Sequence, residues 1–189
     1  GSSAYLKKYL LTPIGDDFEW QWGQHQPQIL PDFDNNPDTI DILLLDNGQS
    51  RSAFEETQTD PEDNYSRAVQ YRINIKEMTV EQIWQYGKER GSEGYSTFLG
   101  DANYMETTGN RLITFGGQIR VDGEPSDAIL SGVRGESVVI SRVVEVNENK
   151  DVVYEVAVTP NGGDVSAETY QAKRMELYND GGYDYHLGE

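Results

Sequence analysis

The chain has 189 residues, with 15 Lys and Arg against 33 Asp and Glu, a formal net charge of −18, and no cysteine. That balance speaks against a nucleic-acid partner, whose phosphates need a basic face, and against anionic membrane surfaces. The missing thiol excludes disulfides, thiolate zinc sites and cysteine nucleophiles, and no apolar run approaches the roughly 20 residues of a membrane-spanning helix.

Gly1-Ser2-Ser3 lacks a methionine and reads as a cloning remnant, so the chain is treated as a piece of a longer protein. "KKYLLTP" and "FEWQW" then supply strand material ahead of "WQWGQHQP", which carries His25, one of two histidines. "DFDNNPD" (32–38) alternates acidic residues as calcium loops do, but Leu43 stands where the bidentate glutamate belongs, which favours an acidic loop. "DILLLDNG" (41–48) and "SRAVQYRI" (66–73) are β-branched or apolar runs bounded by turn residues. "NIKEM" (74–78) is a hairpin signal. "TVEQIWQYGKERG" (79–91) has a helical look, yet a strand ending near Gly87 fits better with the repeat described below.

Further strands are predicted at "RLITFGG" (111–117), "ESVVISRVVEV" (136–146) and "DVVYEVAV" (151–158), with "NENKD" as a second hairpin turn. The paired glycines of "FGGQIR" mark a bulge or a close backbone approach. "TYQAKRMELY" (169–178) reads as a closing strand, and 179–189, with His186, as a tail.

Two stretches, about 24–87 and 96–158, repeat the order strand, apolar strand, strand, tight turn, strand. Four antiparallel strands per repeat is the unit of a β-propeller blade. The expected fold is therefore all-β, a partial β-propeller over 4–178. Two blades cannot close a ring and open edges invite pairing, so a homo-oligomer or a missing amino-terminal propeller half is expected as partner.

His25 heads the innermost strand of the first repeat, the strand that lines a propeller's channel. It is either a packing residue beside Trp20 and Trp22 or a nucleophile, because a neutral imidazole nitrogen can attack sulfur or phosphorus and hold the group. Such a step needs positive charge on the transferred group's oxygens. Arg51, in "DNGQSR", is the candidate helper, unless it is an ordinary surface charge. Tyr170 offers a phenol that either packs or hydrogen-bonds an oxyanion.

Taken together, "EWQWGQHQPQIL", "LLLDNGQSRS", "YSRAVQYRI", "MTVEQIWQYGKERG" and "NRLITFGG" resemble the bacterial arylsulfate sulfotransferases, from about residue 9 onward. The resemblance implies a six-bladed propeller of which this is the carboxy-terminal part. It also implies an exported enzyme, periplasmic or extracellular, that moves a sulfuryl group from an aryl sulfate to a phenol. On the same resemblance, neither phosphoadenosine phosphosulfate nor a metal is needed, and the route runs through a sulfated histidine. The family's Gln-His motif falls on Gln24-His25, and its late tyrosine on Tyr170. A His-x-Asn motif and a further arginine of the family have no counterpart in 1–24, so poor activity is expected of the chain alone. The competing expectation is a non-catalytic propeller piece acting as a binding or self-association module.

Overall fold

A computed structural model of the chain describes residues 4–127, 137–161 and 166–175. Its backbone is mostly strand, arranged as two sheets. The first is built from β1 (Thr12–Ile14), β2 (Gln24–Ile29), β3 (Thr39–Asp46), β4 (Arg67–Asn74) and β5 (Thr79–Tyr86). The order is β1-β5-β4-β3-β2; the last four are antiparallel, and β1 adds a short parallel edge beside β5.

The second sheet holds β6 (Phe98–Met105), β7 (Asn110–Val121), β9 (Ser137–Val146) and β10 (Val152–Val158), in the order β10-β9-β7-β6, with the two-residue β8 (Glu124–Pro125) pairing β7. Each expected repeat is thus one antiparallel four-strand meander, and the strand preference at 79–86 holds. β5 stops at Tyr86, before Gly87 and a 3₁₀ segment at Lys88–Gly94.

The continuous apolar run of β3 is buried on both faces. Leu43 and Leu45 point between the sheets, where they meet Ala68, Tyr86, Ala102, Ile113, Phe115, Val144 and Val146. Leu44 points outward with Val69, Tyr71 and Val80. Because strand side chains alternate, a single leucine tract feeds two cores. Each fully buried leucine contributes about 1.5–3 kcal/mol, which makes β3 the principal organiser of its sheet.

Each outer face carries a strap. Over the first sheet lie Leu11 and Phe18, the latter 5.6 Å from the Tyr71 ring. Over the second lies 166–175, anchored by Ala167 N–H to Val139 O, Thr169 N–H to Gly116 O, Asn103 Nδ2 to Ala172 O and Arg174 to Glu145.

Three expectations are corrected by these straps. "KKYLLTP" starts at the last residue of the helical turn α1 (Ala4–Lys7) and gives only Thr12 and Pro13 to the short β1. "FEWQW" makes no ladder: the Glu19 carbonyl accepts from the Tyr71 hydroxyl and the Arg67 guanidinium instead of a neighbouring strand. Residues 169–175 of the expected closing strand form no strand, their polar groups bonding across the sheet face; 176–178 and the tail with His186 lie outside the described residues.

"DFDNNPD" is the β2–β3 loop. Its alternation has a local cause: Asp32, Asp34 and Asn36 each accept, through the side chain, the backbone N–H two residues on.

Candidate active site

Residues 20–25 are clamped to the end of β3. Trp22 N–H donates to Asp46 Oδ1 at 2.7 Å, Asn47 N–H to Gly23 O at 3.1 Å and Gln49 N–H to Trp22 O at 2.9 Å. Gly23 has φ of +81°, and a Cβ there would stand 2.9 Å from the Gln49 side chain. The clamp favours glycine for its left-handed backbone, since the Gln49 side chain could move aside for a Cβ.

His25 follows on β2, opposite Leu45, and the ladder then slips: His25 faces Leu45, but Gln28 faces Leu43, with Gln26 at φ +47° in between. This bulge puts an extra residue beside the histidine and re-aims the strand, as bulges next to functional positions do. Cross-strand partners share a face, so His25 lies on the side of the sheet that looks toward the second sheet. It is neither sealed nor fully exposed.

The edge strands β2 and β6 meet below it, where Tyr104 N–H of β6 donates to Gln28 Oε1 of β2 at 2.9 Å. Above, a buried polar knot joins the sheets. Asn47 Nδ2 donates to Ser96 O and Leu99 O, Ser66 Oγ donates to Asn47 O, and Ser96 N–H donates to Ser66 Oγ. None of Asn47, Ser66 and Ser96 is solvent-accessible. A buried hydrogen-bond network of this kind, in which Asn47 Oδ1 is left without a partner, fixes relative position where an apolar contact would slide.

Tyr170 arrives on the second strap. Its ring stands edge-on to His25, with centroids 6.4 Å apart and planes at 85°. The neighbouring Thr169 is held three ways: its N–H donates to Gly116 O, its hydroxyl shares a 2.6 Å hydrogen bond with Ser141, and its carbonyl lies where a Gly116 Cβ would be. The expected bulge at the paired glycines is present, the ladder shifting between Phe115 and Gln118.

Arg51 is placed differently from the expectation. Its guanidinium donates to Asp46 Oδ2 and Tyr65 O and lies 3.5 Å from the Tyr65 ring centroid. Asp46 follows Leu45 on the strand, so it projects from the face opposite His25. Arg51 thus braces the hairpin from the far side. Beside it, Arg67 is fully buried and bonds Asp46, Glu19, Gln82 and the Glu19 carbonyl.

Burial works to raise the Glu19 carboxyl, but hydrogen bonds from Lys88 and Tyr65 and the charges of Arg67 and Lys88 outweigh it and hold it below the usual value. Arg67, Asp46 and the Asn47–Ser66–Ser96 knot are the positioning residues that sequence reading missed. Their only sequence trace is polar residues set against apolar strand ends, in "LLLDNG" and "YSRAV".

The arrangement is an all-β scaffold of two matched sheets, and the β2 edge of the first presents one half-exposed imidazole with a phenol beside it. Both are groups suited to holding and transferring an electrophilic group. The family model for arylsulfotransferases (ASST) matches residues 2–170, and the chain belongs to that family of transferases. It is 32% identical over 136 residues to an arylsulfate sulfotransferase AssT of Escherichia coli O6:H1, covering 71% of this chain and 21% of that protein. It is 30% identical over 145 residues to an arylsulfate sulfotransferase AssT of Lelliottia amnigena, covering 75% of this chain and 20% of that one. The chain spans about a fifth of the length of these curated relatives. No helix among the described residues is long and apolar enough to cross a membrane.

Proposed function

We propose that this chain is the nucleophile-bearing part of an arylsulfate sulfotransferase and that His25 carries the sulfuryl group. The supporting observation is the edge-on pairing of His25 and Tyr170 at the inner edge of the first sheet, brought together from opposite ends of the chain. The two sheets are read as neighbouring carboxy-terminal blades of a six-bladed propeller, whose channel would run along β2 and β6. The remaining blades come from an amino-terminal part of a longer protein or from further copies of this chain, and the enzyme works outside the cytoplasm, in the periplasm or beyond.

In the first half-reaction a lone pair of neutral His25 forms an N–S bond while the S–O bond to the aryl group breaks, its electrons leaving on the phenolate, which takes up a proton. In the second, the oxygen of an acceptor phenol bonds to sulfur, the N–S electrons return to the imidazole, and the acceptor's proton is released. Neither a nucleotide sulfate donor nor a metal enters this sequence. The Tyr170 hydroxyl is assigned to support the transferred group's oxygens by donation. Cations for those oxygens are assigned to the part outside this chain, so the chain alone is poorly active; each missing oxyanion donor costs about 10²–10³-fold in rate.

The test is to incubate the full-length protein with 4-nitrophenyl sulfate and map a sulfated peptide by mass spectrometry. The sulfate is expected on His25, and His25→Ala is expected to abolish both the adduct and turnover. Full turnover in that variant would remove the assignment.

A further inference from the structure

A second site lies away from His25, toward the opposite ends of the strands. A cavity of about 430 Å³ opens between the sheets, lined by Phe33, Gln70, Trp84, Tyr104, Arg111 and Glu148. That volume is within the range of small-molecule sites. Three of these side chains are aromatic, with Phe33 edge-on to Tyr104 at 5.3 Å.

Arg111 is the unusual member. It is only 8% exposed, and its guanidinium lies 4.6 Å from the Trp84 ring and 5.4 Å from the Tyr104 ring. It donates to two neutral oxygens, Gly109 O and Gln70 Oε1. The nearby carboxylate of Asp41 is taken by Arg72 and by the Gln70 amide, so Gln70 stands between Arg111 and that charge. Burial pushes the Arg111 guanidinium below its usual value, against the smaller opposing influences of Tyr104 and Glu148. Its Nε and the Trp84 indole N–H are both buried without a partner. A buried cation with unused donors, no direct carboxylate partner among the described residues and aromatic walls is short of one thing, an anionic acceptor.

We infer that this cavity binds a small aryl oxyanion, its ring against Phe33, Trp84 and Tyr104 and its charged oxygens on Arg111. The carboxylate on the rim, Glu148, sits on the exposed β9–β10 turn. It opposes the ligand's charge and sets how tightly the site holds it. The inference is independent of the sulfuryl-transfer reading, since His25 does not line this cavity.

The experiment is a calorimetric titration of the chain with benzoate at low ionic strength, with phenol (ring without charge) and inorganic sulfate (charge without ring) as parallel arms. Benzoate is expected to bind saturably, with phenol and sulfate weaker by about tenfold or more, the loss of a charge-assisted hydrogen bond or of the ring contacts. Glu148→Gln is expected to tighten benzoate by about threefold, the Coulombic effect of one rim charge in a wet setting. Arg111→Met is expected to abolish binding. Since Arg111 also packs between the two rings, the exposed Glu148 variant decides the matter if the arginine variant unfolds. Absence of saturable benzoate binding, equal binding of phenol, or an unchanged affinity in Glu148→Gln each overturns the inference.

Discussion

Tyr170 owes its place beside His25 to Gly116. The Thr169 carbonyl occupies the space where a side chain at 116 would begin, 2.1 Å from an ideal Cβ, while the Thr169 N–H is bonded to the Gly116 carbonyl. A glycine in one strand of the second sheet therefore sets the position of a ring from the carboxy-terminal strap against an imidazole of the first sheet.

Gly116→Ala is expected to lift the strap. The contact is with backbone, which cannot swing aside as a flexible side chain can, so the cost is of the overpacking kind, about 1–3 kcal/mol. Urea denaturation gives the stability change. Loss of the nuclear Overhauser contact between the Tyr170 and His25 rings reports the displacement, and an unchanged contact would show that Gly116 does not position Tyr170.

Arg67→Met is expected to destabilise the protein by about 3–5 kcal/mol, the range for breaking a buried ion pair from one side. Both Arg67 and Asp46 side chains are inaccessible to solvent, and the change strips Asp46 of its 3.0 Å partner. It also frees the Glu19 carbonyl and the segment leading to His25. A thermal shift of a degree or less would contradict the role given to Arg67.

Acid is expected to loosen the same region. The Glu19 carboxyl is held below its ordinary value of 4.5 in the folded chain. A depressed folded value means that the contribution is complete above the unfolded value and is lost as pH falls through the folded one. Melting temperature should drop below about pH 4.5, and Glu19→Gln should flatten part of that slope. A profile in the variant identical to that of the parent would count against it.

At the alkaline end the sign reverses. Burial raises the Tyr71 phenol from 10.0 to about 12, with the Arg67 charge opposing and Asp46 assisting. Because the folded value is the higher one, this contribution is complete below pH 10 and is lost as pH rises toward 12. Tyr71→Phe removes the hydroxyl's 2.5 Å bond to the Glu19 carbonyl. It is expected to cost about 1 kcal/mol at neutral pH and to remove that part of the alkaline decline, read by circular dichroism against pH.

Among the described residues, β3, β4, β7, β9 and β10 were legible because each combines a β-branched or apolar run with turn residues at its ends, while β2, β5 and β6 followed from the repeat; β4–β5 and β9–β10 close through short turns. Even the helical look of 79–86 gave way to the strand, since Val80 pairs with Ile73 and Trp84 with Gln70 across the sheet. "FEWQW" and residues 169–175 misled because aromatic and apolar side chains show only that a segment has a side to bury. They do not show whether its backbone bonds to a strand or to side chains. Arg51 misled in a similar way: its nearness in sequence to the hairpin end was plain, but the face it reaches follows from Asp46 lying one residue beyond Leu45.

By itself the sequence determined the strand meanders, the acidic and thiol-free character of the chain, and the one histidine placed at the head of an inner strand, because these depend on residue type and short spacing alone. Only the tertiary structure decided that two straps cover the outer faces, that Arg51 braces the far side, that Tyr170 meets His25, and that Arg111 is buried with no carboxylate bonded to it among the described residues. Each of those joins residues distant along the chain, through packing and hydrogen bonds that no local pattern records.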